Sequence, residues 1–366
     1  MHSVEIAETK STFHFNHPMA IITVIGSINT DLVTVTPRVP FSGETLTATS
    51  FGTGPGGKGA NQAVACFRLS HPKPCSTRNS KFSKPQDVTV RMVGAVGNDD
   101  FGLSIRNSMT YDGIDTSGVK VVEGQTTGVA VILVEEESGE NRILLSQGAN
   151  NSLRPSNFNS IQSLGMPKPD LIILQLEIPL ATVLSIVDLA KEAKVAVLLN
   201  PAPAVELPAA VFNDLDHLIV NESEAAILSG RELASMQKGD IDWSILTDEF
   251  IRKGVKNVVV TLGRKGAFCS DKLGYGMIVE AVKGVKVVDT TGAGDTFIGA
   301  YAVEVVRGMS GNWNMEMAVR YSCDAAARAV EKKGAQDAIP WEDEIESTGE
   351  INRSRYRSPE GTLDSM

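Results

Sequence analysis

A short segment between two carboxylates, Asp289 to Asp295, holds the residues best suited to chemistry. It reads Asp-Thr-Thr-Gly-Ala-Gly-Asp. Valines within 285–288 predict a strand before it, and an apolar pattern from 293 predicts a helix after it. Backbone N–H groups at a helix start, with only small side chains around them, favour phosphate or developing negative charge. Asp295 beside such a turn could accept a proton from a substrate hydroxyl; its alternative role is to complement the helix dipole.

The elements around this segment alternate between strand and helix patterns. Strands are predicted at 20–28, 88–96, 171–178, 195–200, 217–220 and 257–262, and helices at 60–69, 101–112, 181–193, 244–254, 293–307 and 314–330. This alternation predicts an α/β fold with a parallel central sheet and helices on both faces, joined by right-handed crossovers. Ligands of such a sheet gather at the carboxyl ends of its strands.

Two segments rich in Thr and Val, 31–53 and 119–146, break this alternation. The second has an apolar run, a polar stretch at 135–141 and another apolar run, which is typical of a hairpin. We therefore expect a small antiparallel sheet that projects from the main one.

Polar segments set the expected limits of the domain. Residues 71–87 contain several prolines between a helix and a strand, which predicts a surface insertion. Residues 1–18 lack the apolar stretch of a signal peptide, and residues 343–366 are polar. We expect a loose extension and a disordered tail on either side of one domain over 19–342.

Composition excludes several partners. The 366 residues carry a formal net charge of -10, which argues against nucleic acid as a partner. No apolar run is long enough to span a bilayer, so no membrane partner is expected. The four cysteines lie far apart without zinc-ligand spacing, which favours free thiols in a reducing cytosol. The expected location is the cytoplasm, and a nuclear fraction is left open.

A second glycine-rich segment, Gly52 to Asn61, matches two phosphate-binding patterns incompletely. It reads Gly-Thr-Gly-Pro-Gly-Gly-Lys-Gly-Ala-Asn. A dinucleotide fingerprint needs an acidic residue after the next strand, about 20 residues on, where this chain has a helix and the insertion. A Walker A loop needs Ser or Thr after the lysine, where this chain has Gly59. A turn with a purely structural role is the remaining alternative.

Together the two segments resemble the signatures of the ribokinase family of carbohydrate kinases. Residues 56–63, Gly-Gly-Lys-Gly-Ala-Asn-Gln-Ala, match the first signature, residues 289–295 match the second, and the similarity runs from about 20 to 342. The resemblance implies transfer of a phosphoryl group from ATP to O5 of D-ribose, with Asp295 as the general base and Mg²⁺ and K⁺ as bound ions. It also implies that the small sheet is a lid over the sugar, through which two subunits can form a homodimer.

Residue-by-residue matching to the family assigns the sugar site. The implied sugar contacts are Asn29, Thr30, Asp31, Gly57, Lys58, Gly59, Ala60, Asn61, Glu177 and Asp295. Asn29 and Asp31 follow the first predicted strand, where Asn and Asp are often only turn formers. A sugar needs fixed acceptors for its hydroxyls, however, and a carboxylate supplies two acceptor oxygens.

The same matching assigns the ATP side of the site. The implied contacts are Asn221, Thr261, Leu262, Gly263, Arg264, Lys265, Gly266, Gly292, Ala293, Gly294 and Cys323, with Glu224 organising Mg²⁺ through water. As an alternative, Asn221 only caps the helix that follows it. Cys323 departs from the family, whose members carry Asn or His near the adenine at this position.

The resemblance also implies a potassium site beside the glycine turn. Its implied residues are Asp289, Thr291, Ala329, Lys332, Gly334 and Ala338. Alanines on a helix otherwise indicate only packing. Ala338 stands where a hydroxyl residue often completes the ion shell, so we expect a site of lowered potassium affinity.

Two other functions remain open at this point. A related kinase of another small sugar or of a nucleoside would share the fold and the phosphate-binding turn. A sugar-binding regulator without catalysis would need neither Asp295 nor that turn, and the presence of both argues against it.

Overall fold

The computed structural model describes residues 19–74, 86–231 and 241–346. The predicted extension over 1–18, most of the predicted insertion (75–85) and most of the predicted tail (347–366) lie outside the described residues. The tail begins as a short helix, and its residue Ile345 is buried, so the packed domain continues past residue 342.

A nine-stranded sheet forms the centre of the molecule. Its strands are β1 (Ala20–Ile25), β4 (Val88–Gly97), β5 (Asp115–Val122), β8 (Leu171–Leu174), β9 (Ala196–Leu199), β10 (His217–Asn221), β11 (Asn257–Thr261), β12 (Ala267–Asp271) and β13 (Gly276–Val279). Their order is β13-β12-β11-β10-β9-β8-β1-β4-β5. All neighbours are parallel except β11–β12 and β12–β13, an antiparallel edge that the alternation pattern does not reveal.

Helices cover both faces of this sheet, as the sequence predicts. They are α1 (Lys58–Ser70), α2 (Asp100–Asp112), α3 (Leu180–Ala193), α4 (Glu222–Ser229), α5 (Trp243–Arg252), α6 (Ala293–Gly308), α7 (Met315–Ala329) and α8 (Glu342–Glu346). One apolar cluster joins α1, α2, α6, α7 and α8 to the sheet, and a second joins α3, α4 and α5 to its other face. Successive residues of β1 alternate between them: Val24 belongs to the first cluster and Ile25 to the second.

A smaller sheet projects from the carboxyl edge of the main one. It consists of β2 (Asn29–Thr36), β3 (Ser50–Gly56), β6 (Gly128–Glu135) and β7 (Asn141–Ser146), in the order β3-β2-β6-β7. The pairs β2–β3 and β6–β7 are antiparallel as expected, but the central pair β2–β6 is parallel. The reason is topological: β2 and β6 follow β1 and β5, which are parallel strands of the main sheet, so both leave it in the same direction.

Three predicted segments are assigned differently by the structure. Residues 119–122 belong to β5 in the main sheet rather than to the smaller sheet. The run predicted as a strand at 20–28 ends at Ile25, and β2 begins at Asn29 after a bend. The strand predicted at 285–288 is wrong, since this segment is a loop. Its apolar character has another cause: Val285 and Val287 line a large cavity instead of pairing in a sheet.

Candidate active site

The glycine turn before α6 is built around a position that only glycine tolerates. Gly292 is the N-cap of α6 with φ 75°, in the left-handed region, and a Cβ there would lie 3.1 Å from the Cα of Ala335. A Cβ on Gly294, by contrast, would meet no atom within 4 Å. The first N–H groups of a helix have no partner within the helix, so the turn offers donors beside open space.

Asp295 in the first turn of α6 is buried, with 7% of its surface exposed. Its Oδ2 accepts a hydrogen bond from Nδ2 of Asn61 at 3.0 Å, and its Oδ1 accepts one from Nε2 of Gln62 at 2.9 Å. Both donors lie on α1, so packing of α1 against α6 brings the two signatures together. The carboxylate is therefore fixed in orientation, which a residue that merely complements the helix dipole does not require.

Glu177 and Asn29, two of the predicted sugar contacts, belong to one polar network. Oε2 of Glu177 accepts from Oγ of Ser27 at 2.6 Å, from the backbone N–H of Lys58 at 3.0 Å and from Nδ2 of Asn29 at 3.4 Å. Oδ1 of Asn29 accepts from Nδ2 of the buried Asn150 at 2.7 Å. Residues from β1–β2, α1 and the end of β8 are thus held in one network.

Glycines allow the chain to pass close to these side chains. A Cβ on Gly56 would lie 2.1 Å from Oδ1 of Asp31, and a Cβ on Gly57, whose φ is 87°, would lie 2.7 Å from the backbone N of Asn29. Gly59 and Ala60 are buried in the first turn of α1. Thr30 is buried. Because successive side chains of a strand point to opposite faces, the side chain of Thr30 points away from those of Asn29 and Asp31.

The carboxylates of this site repel one another. Burial first, and the negative charges of Glu177 and Asp295 second, raise the pKa of Asp31 to about 7. Burial disfavours the charged form of Lys58, but the three carboxylates of Asp295, Glu177 and Glu224 outweigh it and raise the pKa of this ammonium group. Lys58 is therefore the positive charge at the centre of an acidic cluster.

Two cavities meet at the glycine turn. A polar cavity of about 200 Å³ is lined by Lys58, Asn200, Asn221, Glu224, Asp295 and neighbouring residues. A larger one of about 840 Å³ is lined by Gly263, Arg264, Lys265, Gly266, Ala293, Cys323 and the loop at 280–287. Both contain Thr261, Thr290 and Gly294 in their walls, so they adjoin at the start of α6. Leu262 is buried beneath the larger cavity's wall and does not line it.

Asn221 and Glu224 form a capping box at the start of α4. Oδ1 of Asn221 accepts from the N–H of Glu224 at 2.8 Å, and Oε2 of Glu224 accepts from the N–H of Asn221 at 2.9 Å. The capping role that the sequence left open is therefore present. Within this capping box Glu224 still lines the polar cavity, and burial there raises the pKa of its carboxyl.

Asp289 ties the glycine turn to the loop after α7. Its Oδ1 accepts from the N–H of Thr291 at 2.9 Å and from Oγ1 of Thr291 at 2.7 Å, and its Oδ2 accepts from the N–H of Gly334 at 2.9 Å. These bonds lower the pKa of Asp289 although burial alone would raise it. Ala329 and Ala338 are buried, whereas Lys332 is exposed and its Nζ lies 3.6 Å from Glu344.

These residues fit a monovalent cation only in part. Across 19–74, 86–231 and 241–346, no three His, Cys, Asp or Glu side chains are grouped as metal ligands. Both Asp289 oxygens are engaged with the chain, and Ala338 has no side-chain oxygen. A cation here would depend on backbone carbonyl oxygens of the two loops.

Several polar residues of the site were not assigned from the sequence. These are Ser27, Gln62, Asn150, Gln175, Asn200, Thr290 and Gln336. A signal for two of them was present: Gln175 and Asn200 directly follow the apolar strands β8 and β9, at the carboxyl edge where ligands gather.

A buried acid in the wall of a polar cavity, at a glycine turn where a larger cavity adjoins, is the arrangement of a phosphotransferase that uses an alcohol as acceptor. A family model described as pfkB family carbohydrate kinase matches residues 19–342. The chain belongs to this family and is an ATP-dependent carbohydrate kinase.

Curated relatives and solved structures agree with this classification. The ribokinase of Schizosaccharomyces pombe is 40% identical over 340 residues, which are 92% of this chain and 100% of the relative. The deoxyribokinase of Salmonella typhi is 38% identical over 320 residues, 87% of this chain and 95% of the relative. The structure of Arabidopsis thaliana ribokinase complexed with ribose and ATP matches with a TM-score of 0.76 at 28% identity, covering 91% of this chain and 99% of that one.

Proposed function

We propose that this kinase transfers the γ-phosphoryl group of ATP to the O5 hydroxyl of D-ribose. The observation that carries the proposal is the position of Asp295 in the wall of the polar cavity, directly after Gly294, where this cavity adjoins one large enough for a nucleotide. The choice of ribose is supported by the Schizosaccharomyces pombe relative, named ribokinase, and by the Arabidopsis thaliana ribokinase complexed with ribose and ATP.

In the proposed reaction Asp295 takes the proton of the attacking hydroxyl. The N–H groups at the start of α6 stabilise negative charge on the transferring phosphoryl group, because they are fixed donors at the positive end of the helix. The Lys58 ammonium lies in the same cavity wall and adds positive charge. Mg²⁺ bound with ATP would neutralise phosphate charge, and Glu224 is the carboxylate of this wall that could hold its water ligands.

The proposed sugar contacts are carboxylate and amide groups that are held in place by the chain and keep lone pairs for sugar hydroxyls. Asn29, Asp31 and Glu177 face the start of α1, where Lys58 and Asn61 complete the set. A site built from such acceptors and donors rejects an analogue that lacks a hydroxyl, because its buried groups are left unpaired. The Salmonella typhi deoxyribokinase makes 2-deoxyribose the competing substrate to test.

Potassium activation is part of the proposal. A cation between the Asp289–Thr291 segment and the Gly334–Ala338 loop would hold the glycine turn in place without touching the substrate.

We further propose a homodimer through the lid, because the edge strand β7 exposes a row of apolar side chains. Ile143 is 55% exposed and Leu144 69%, and Phe51 on the opposite edge strand β3 is 65% exposed.

The proposed location is the cytoplasm, because Cys66, Cys269 and Cys323 are free thiols, as is usual in a reducing compartment. No helix within the described ranges is long and apolar enough to cross a membrane.

The test of substrate choice is ATP-dependent phosphorylation of a panel that contains ribose, 2-deoxyribose, fructose and adenosine. Ribose should have the highest kcat/KM. A preference for adenosine or fructose would refute the assignment, and a preference for 2-deoxyribose would move it to the deoxyribokinase activity.

The test of the mechanism is Asp295→Asn, which keeps the size of the side chain and removes the proton acceptor. General-base catalysis contributes about 10²- to 10⁴-fold, so kcat should fall by that order. Calorimetric titration of the same folded variant should still detect binding of ribose and of ATP. Near-normal turnover would leave Asp295 with only a helix-dipole role, for which a loss of about 0.3 to 1 kcal/mol of stability is the expected effect.

A further inference from the structure

A buried chain of side-chain amides holds one oxygen of Asp295 and reaches the wall of the polar cavity at Asn200. Gln62 and Gln175 are fully buried, and Asn200 is 6% exposed. They come from α1 and from the carboxyl ends of β8 and β9, three elements that are distant in sequence. The proposed reaction assigns no role to this chain.

Hydrogen bonding fixes the orientation of Asn200 and then of Gln62. Nδ2 of Asn200 donates to the carbonyl oxygen of Ile219 at 3.1 Å, which turns Oδ1 of Asn200 toward Gln62. Nε2 of Gln62 donates to that Oδ1 at 3.3 Å and to Oδ1 of Asp295 at 2.9 Å. Oε1 of Gln62 accepts from Nε2 of Gln175 at 2.6 Å. Reversing the Gln62 amide would set its oxygen against two acceptor oxygens, so only one orientation is stable.

The other oxygen of Asp295 is held by a parallel arrangement. Nδ2 of Asn61 donates to Oδ2 of Asp295 at 3.0 Å, and Oδ1 of Asn61 accepts from Nε2 of Gln336 at 3.1 Å. Nη1 of Arg68 in turn donates to the carbonyl oxygen of Gln336 at 2.6 Å. Each carboxylate oxygen therefore receives one amide donor whose direction is set by a further partner.

We propose that Gln62 is a positioning residue that fixes the carboxylate plane of the catalytic base. The proposal rests on the proposed function, in which Asp295 accepts the substrate proton. Gln62 is fully buried and acts only through Asp295, whereas Asn61 belongs to the expected sugar contacts. With both oxygens held, the carboxylate cannot rotate, and the lone pairs that remain keep one direction relative to the cavity.

The competing interpretation is that the chain only satisfies buried polar groups, as almost all buried amides must be satisfied. The two interpretations differ in kinetics. Loss of a structural hydrogen bond lowers stability and leaves turnover per folded molecule unchanged. Loss of a positioning bond lowers kcat, because a displacement of about 1 Å at the reacting groups can reduce the rate about 100-fold.

The main variant is Gln62→Met, which keeps the length of the side chain and removes its donor. We expect kcat to fall about 10- to 100-fold while KM for the sugar changes less than about threefold. The matched control is Thr247→Val on α5, which removes a buried hydrogen bond to the carbonyl oxygen of Trp243 at 2.9 Å and lines neither cavity. It should lose stability and keep its kcat.

A double-mutant cycle with Asp295→Asn decides whether the effect passes through the base. If Gln62 acts on Asp295, adding Gln62→Met to Asp295→Asn should lower the residual rate by less than about threefold. If the loss of kcat in the double variant equals the product of the losses in the two single variants, the proposal is overturned. An unchanged kcat in folded Gln62→Met would also overturn it.

A second variant covers the case in which Gln62→Met does not fold. Gln175→Met removes the donor that orients Gln62 and leaves the bond to Asp295 in place, so kcat should fall about three- to tenfold at unchanged KM. An unchanged kcat there would equally overturn the proposal. If wild-type protein prefers a sugar other than ribose, the substrate assignment fails, and the cycle is measured on the preferred sugar.

Discussion

Replacing Asp31 by Asn should stabilise the folded protein at alkaline pH and weaken sugar binding. Burial, followed by the charges of Glu177 and Asp295, raises the pKa of the Asp31 carboxyl from 3.8 to about 7. The folded state therefore holds this proton more tightly than the unfolded chain does. Stability is lost as the pH rises from about 4 through about 7, where the carboxyl ionises next to two like charges.

The size of the effect follows from the two pKa values. One pKa unit corresponds to about 1.4 kcal/mol, so the difference between 3.8 and about 7 amounts to roughly 4 kcal/mol at most. Asp31 is partly exposed, and solvent screening reduces this value. We expect Asp31→Asn to raise the free energy of unfolding by about 2 kcal/mol at about pH 8, and by less than about 1 kcal/mol at about pH 4.

Urea unfolding of wild type and of Asp31→Asn at these two pH values measures the difference in the free energy of unfolding. The control is Asp188→Asn on the exposed face of α3, which removes a carboxylate outside the cluster and should show no such pH-dependent gain. Ribose titration of the same variant measures the cost to binding: a carboxylate has two acceptor oxygens and an amide only one, so affinity should fall about 10- to 100-fold. Equal stabilities at the alkaline pH would refute the repulsion among these carboxylates, and unchanged ribose affinity would remove Asp31 from the sugar site.

Three further predictions concern parts of the chain away from the sugar contacts. Burial lowers the pKa of His217, whose Nδ1 lies 3.0 Å from the hydroxyl of Tyr301, from 6.5 to about 4, so wild type should lose about 3 kcal/mol of stability as the pH falls from about 6.5 to about 4. His217→Gln should show a flatter urea-midpoint profile over this range, and parallel profiles would contradict the prediction. Potassium should raise kcat over sodium at matched ionic strength, with a high half-saturating concentration because Ala338 lacks a side-chain oxygen; equal rates in the two salts would argue against the site. Replacing residues 72–86 by a short Gly-Ser linker should leave kcat within about threefold, and a folded but inactive variant would show that the insertion contributes to the site.

The main sheet was predictable because its information is local. Apolar runs separated by amphipathic patterns are visible within windows of a few residues, and they locate β1, β4 and β8 to β11 together with the long helices. The parallel β2–β6 pair was not predictable in this way. It joins segments about 100 residues apart, and its direction depends on where both strands leave the main sheet.

The active site, too, was predictable only where its information is local. Signature residues such as Asp295 and Asn61 could be selected from short motifs. Their support was harder to select. Gln175 and Asn200 lie at the carboxyl edge of the sheet, but each of them, like Gln336, is a single amide, and only packing shows that it connects to the base. The wrong strand at 285–288 has a related cause: valines that line a cavity and valines that pair in a sheet have the same sequence pattern.

The strand β2 links the smaller sheet to two of the proposed sugar contacts without any intervening loop. Asn29 and Asp31 are its first and third residues, and the same strand continues to Thr36, paired along its whole length with β6. A one-residue insertion or deletion within β2 would shift the register and turn Asp31 to the opposite face of the sheet. We therefore expect changes of length to be tolerated in the distal turns at 37–49 and 136–140 rather than within β2. If Asn29 and Asp31 bind the sugar as proposed, a smaller sheet transplanted from another carbohydrate kinase would bring the donor's sugar contacts with it.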